Sequence, residues 1–99
     1  MVVSSIKQLS RLFRAKSEEG KTFRSLQEQA LNTRIAVSRC LESLVGVENE
    51  TVRKQVRQEI EDLEEKFRTE AGQFLNKLSQ MEIEYDGVLD YNEICNSVV

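Results

Sequence analysis

The chain has 99 residues, 31% of them charged and 39% apolar, with a formal net charge of -3, no histidine, no proline and two cysteines. That length fits one domain with little room for a catalytic domain beside a binding one, and the apolar share suffices for a core. Without histidine the commonest general base is gone, and with it Ser-His and Cys-His nucleophiles and mixed Cys/His zinc sites, so the expectation is a protein that acts by contact and is not an enzyme.

Recurrent Leu, Glu, Gln, Lys, Arg and Ala, with only four glycines, favour helix almost everywhere. The expected fold is all-α, one helical domain over 1–99: a small antiparallel bundle with a long helical hairpin, an N-terminal amphipathic helix and a short C-terminal helix. In residues 4–19, Ile6, Leu9, Leu12 and Phe13 fall on one side and Lys7, Arg11 and Arg14 on the other, the spacing of an amphipathic helix. Gly20 reads as its stop and Thr22 as the cap of the next helix.

From Phe23 an apolar seam runs through Leu26, Ala30, Thr33, Val37, Cys40 and Leu44 in steps of three and four, with Thr33 its polar member. Leu31, Ile35, Leu41 and Val45 form a second stripe beside it, too broad for a two-stranded seam and suited to a second neighbour; these four are the candidate partner-binding face. Gly46 ends this helix, and Glu48, Asn49, Glu50 and Thr51 offer caps for the third, which carries Val52, Val56, Ile60, Leu63, Phe67, Ala71, Phe74, Leu78 and Met81. That helix would be about 45 Å long, and the short connection makes the two an antiparallel hairpin. An alternative extends the third helix as a dimeric coiled coil.

Charge is uneven along the chain. Residues 1–24 are net +4, residues 25–58 net +1 and residues 59–99 net -8. The basic start is drawn to an acidic surface, either the chain's own later half or another molecule. Met1 to Ser17 holds four cations and no acid, which also suits a membrane-surface helix or a mitochondrial transit segment. Nucleic acid is excluded as a partner by the sequence pI of about 5.1 and the lack of an aromatic stacking motif. No run approaches the roughly 20 apolar residues of a membrane span, no secretory leader is read, and Cys40 and Cys95 fit a reducing compartment, so a cytoplasmic location is expected. Both cysteines read as packing residues, and Tyr85 and Tyr91 would serve acid-base chemistry only within a pocket.

One stretch has a specific chemical pattern. Residues 82–93 carry oxygen-bearing side chains at the first, third, fifth, ninth and twelfth places, a glycine at the sixth, Gly87, and a glutamate at the twelfth, Glu93. Flanked by Phe74, Leu78 and Met81 before it and Ile94 after it, this stretch resembles a single EF-hand calcium loop, over residues 74–98. The resemblance implies calcium held by Glu82, Glu84, Asp86 and Asp90, the Val88 carbonyl and both oxygens of Glu93. Glu82 and Glu84 depart from the shorter Asp or Asn of the family at those places, and no second loop is present to pair with it. The same residues also read as an Asp86-Gly87 turn followed by a helix capped by Asp90, with Glu93 at capping-box spacing.

The function expected from these features is a protein-protein interaction module: an adaptor, small chaperone or assembly subunit with a protein partner, a homodimer included. A calcium-binding regulatory protein and a peripheral membrane-surface protein are the alternatives.

Overall fold

The computed structural model describes residues 1–13 and 17–97. In chain order its elements are β1 (Val2–Val3), α1 (Ile6–Leu12), α2 (Glu18–Ser43), α3 (Glu50–Gln80), β2 (Glu84–Tyr85) and α4 (Tyr91–Ser97). The fold is a small all-α bundle built on the long α2–α3 hairpin, with α4 packed mainly on α2. Among the described residues no helix is long and apolar enough to cross a membrane.

The first helix is shorter than its periodicity predicts, and the stop is not at Gly20. α2 begins at Glu18, and the Ser17 hydroxyl caps it by accepting from the Gly20 N–H at 3.0 Å. Glu18 and Glu19 then stand in the first turn, where carboxylates meet the positive end of the helix dipole. This cap and charge pair override the glycine, which is buried within the opening turn. Thr22 donates its hydroxyl back to the Glu18 carbonyl at 2.9 Å and caps nothing. The predicted helical positions at 14–16 lie outside the described residues.

The hairpin turn follows the sequence closely. Leu44 closes α2 and Gly46 takes φ +77°, the left-handed conformation in which a side chain costs energy. Asn49 caps α3, its Oδ1 accepting from the N–H groups of Thr51 and Val52. Arg53 turns back from the first turn of α3 and donates to the Val47 carbonyl at 2.9 Å and the Leu44 carbonyl at 3.4 Å, so one guanidinium holds the connection. At the far end, Met81 closes α3 and Glu82 adopts φ +59°, while the Ile83 N–H returns to the Leu78 carbonyl at 2.9 Å. This is the closing pattern usually assigned to glycine, here adopted by a glutamate.

The short strands have no counterpart in the sequence expectations. β1 and β2 pair in parallel, Val2 opposite Glu84 and Val3 opposite Tyr85, with the Glu84 N–H on the Met1 carbonyl and the Asp86 N–H on the Val3 carbonyl. The pairing draws Val3 and α1 over the open end of the hairpin.

One core results, at that end. Val3, Ile6, Leu9, Phe23, Leu26, Ala30, Phe67, Ala71, Phe74, Leu78 and Ile94 are all buried and contiguous. Phe23 packs on Phe74 with ring centroids 5.5 Å apart, and Phe13 meets Phe74 edge-on at 6.1 Å. Toward the turn the hairpin runs on as a two-helix arm, where Val37 is the buried apolar side chain. The molecule measures 50 × 24 × 21 Å, with a radius of gyration of 15.9 Å against about 13 Å for a compact domain of this length.

Candidate functional site

The second apolar stripe, on α2 and the turn that follows it, is exposed. Leu31, Ile35, Leu41 and Val45 are 51%, 42%, 55% and 82% exposed, while the neighbouring seam residues Phe23, Leu26, Ala30 and Val37 are buried against α3. At about 100° per residue Leu31 and Ile35 lie roughly a quarter-turn or more round the helix from that seam, whereas Leu41 falls beside it near the end of the helix. Leu31 and Ile35 line an open groove of about 740 Å³ together with Arg34, Ser38, Glu42 and, from α4, Cys95; Leu41 and Val45 stand outside it.

α4 defines where the groove starts. Asp90 caps this helix by accepting from the Glu93 N–H at 2.8 Å, and Ile94 is fully buried, so α4 is pinned across the hairpin at one level. From there Tyr91 reaches α3, its hydroxyl donating to Glu64 Oε2 at 2.9 Å and its ring meeting Phe67 edge-on. Asn96 reaches α2 on the same side, its Oδ1 accepting from Arg34 Nη1 at 3.3 Å. Below α4 that side of the hairpin is covered; beyond it, toward Gly46, the same side is bare.

The titratable groups near α4 have ordinary structural partners. Burial and then the Glu64 carboxylate push the Tyr91 phenol above its usual value, and burial followed by Glu93 does the same for Tyr85. Both shifts keep the phenols protonated at neutral pH, which suits hydrogen-bond donors and not bases. Cys40 and Cys95 are free and half-buried.

No family model, curated protein or solved structure matches the chain. Function therefore rests on the geometry alone.

Of the residues singled out from the sequence, the structure leaves all four of the second stripe exposed, with Leu31 and Ile35 in the groove and Leu41 and Val45 beyond it. The acids of 82–93 are instead distributed over a helix-closing residue, Glu82, a strand residue, Glu84, and a helix cap, Asp90. Asp86 gives its N–H to Val3, and the Tyr85 ring lies over Gly87. Among the described residues no three of Cys, Asp or Glu are grouped to hold a metal ion. Sequence reasoning did not single out Arg34, Ser38 and Glu42, three polar members of the groove. The signal was available: all three fall on the stripe's face at helical spacing, interleaved with its apolar residues.

Proposed function

We propose that this chain is a non-enzymatic protein-protein interaction module that holds a helix of its partner against the apolar face of α2. The observation that supports it is the exposed run Leu31, Ile35, Leu41 and Val45, open to solvent beside a well-filled core. Side chains recurring at i, i+4, i+10 and i+14 on one face are the anchors by which helices lie in grooves. Arg34, Arg39, Glu28 and Glu42 line the same groove and give it a polar rim of both signs, as interfaces have around their apolar centres. An adaptor or assembly subunit needs no more chemistry than this.

The test is a photocrosslinking amino acid placed at Leu41 or at Asn76, an exposed position of α3 far from the stripe, in the otherwise intact chain. Protein adducts are expected from position 41 and not from 76, and Ile35→Lys should abolish them while leaving the circular dichroism spectrum unchanged. Equal adducts from both positions, or none from either, would refute the reading.

A further inference from the structure

The groove's own residues are arranged about a centre, and the geometry points to a second copy of this chain as the partner, bound antiparallel on the α4 side of the hairpin with a two-fold axis passing beside Ser38. This inference rests on the interaction reading above and specifies its occupant.

Consider α2 laid antiparallel on another α2 with Ser38 over Ser38. Ile35 then meets Leu41 of the partner copy, each three residues from Ser38 on the helix, and Leu31 comes level with Val45 in the turn that follows α2, each seven residues from Ser38. Arg34, which also donates to Asn96 at 3.3 Å, meets Glu42 by the same count, so these two groove residues oppose each other with complementary sign. A serine at the centre lets the two helices approach closely.

The other helix of the arm has the same symmetry at the same height. Phe23 stands against Phe74, and Thr33 and Ala36 share a groove with Leu63 and Phe67. Continued toward the turn, that register sets Ser38 level with Glu59. On the side of α3 that carries Glu64, and thus on the α4 side, lie Lys54, Arg57 and Glu61 as well. Antiparallel pairing about residue 59 places Arg57 against Glu61 and Lys54 against Glu64, which also accepts from Tyr91, and both pairs are opposite in sign. An in-plane two-fold axis perpendicular to the helices superposes α2 on α2 and α3 on α3 together, so one operation satisfies both sets. The flanking ion pairs within the chain, Arg57 with Glu50 at 3.9 Å and Arg68 with Glu65 at 3.4 Å, are exposed and exchange at little cost.

Surface area gives an independent reason for a partner of this size. The chain exposes 7022 Å², whereas a compact monomer of 11.4 kDa exposes about 5,800 Å². The excess exceeds the roughly 800 Å² that each side of a standard interface buries. Two arms packed face to face make a four-helix bundle, the layer that the two-helix arm lacks.

The experiment is sedimentation equilibrium of the intact chain from micromolar to several hundred micromolar. Wild type is expected at twice the chain mass at the upper end. Arg34→Glu alone and Glu42→Arg alone should each weaken association at least about tenfold through like-charge contacts, and an equimolar mixture of the two should restore it, because both charge pairs become opposite again. In a Cys40→Ala, Cys95→Ser background, Ser38→Cys should form a disulfide-linked dimer on mild oxidation and Asn76→Cys should not. A monomer at every concentration overturns the inference, as does a dimer indifferent to both charge reversals and not linked through position 38. Adducts from Leu41 to a different protein, with no adduct at twice the chain mass, would leave the interaction reading standing and remove the second copy.

Discussion

Replacing Phe74 with alanine should destabilise this protein severely, and replacing Val37 with alanine should cost far less. Phe74 is 3% exposed and touches both Phe23 and Phe13, so truncation removes a large buried side chain and two aromatic contacts from the one place where α1, α2 and α3 converge. Such truncations cost about 3–5 kcal/mol. A domain of this size has roughly 5–15 kcal/mol in total, so a large share of the stability goes. At about 4–8 °C per kcal/mol the midpoint should fall by tens of degrees. Val37 is the buried residue of the arm; losing two methyl-sized carbons there costs about 1.6 kcal/mol at ~0.8 kcal/mol per buried carbon. Urea titrations followed by circular dichroism, at a concentration low enough to exclude self-association, measure both. A cost below about 2 kcal/mol for Phe74→Ala, or equal costs at the two sites, would refute the concentration of the core at the α1 end.

Three smaller perturbations test local features. Asn49→Ala removes the oxygen that accepts from Thr51 and Val52 and should cost about 1 kcal/mol, measured by urea denaturation, with the α2 stripe unaffected. Tyr91→Phe should cost about 1 kcal/mol at neutral pH, since one partly buried hydrogen bond to Glu64 is lost. The phenol's pKa is raised on folding, first by burial and then by Glu64, so its contribution is complete below the usual value of 10.0 and is lost as pH climbs through the raised value. Thermal melts from pH 8 to pH 11.5 should therefore show a steeper alkaline decline in wild type than in Tyr91→Phe. Gly87→Ala sets a methyl group 2.8 Å from the end of the Tyr85 ring and forces that ring aside; it should destabilise wild type measurably and leave a Tyr85→Ala background unchanged in the same melts.

Most helix boundaries were legible because their punctuation is local. Gly46 and Asn49 carry a left-handed turn and a cap within four residues, and the seam from Phe23 to Val37 repeats at helical spacing. Gly20 misled because two local signals competed: Ser17 with Glu18 and Glu19 starts a helix more effectively than one glycine stops one. The β1–β2 pairing was out of reach, since two-residue strands have no periodicity and their partners are about 80 residues apart in the sequence. For the candidate site, the stripe itself was visible as surplus apolar width on α2. What could not be read was its vacancy, which depends on α4 being fixed across the hairpin by Asp90 and Ile94. The twelve-residue acidic pattern has the converse lesson. Spacing names the oxygens, but the direction in which each points is set by the helix closure at Glu82 and the strand at Glu84, neither of which spacing reveals.

That strand pairing also bears on the order in which the molecule assembles. The hairpin is made of contacts whose partners are joined by a tight turn, and such contacts form early and quickly. Fastening Val2 and Val3 to Glu84 and Tyr85 closes a loop of nearly the whole chain, an entropic cost that grows only slowly with length but must be met before Ile6 and Leu9 reach the core. The start of the chain is thus the last part to dock, onto a hairpin already standing. A nascent molecule would therefore stand for a time as a bare hairpin, with the exposed side chains of α2 in place before its core is sealed.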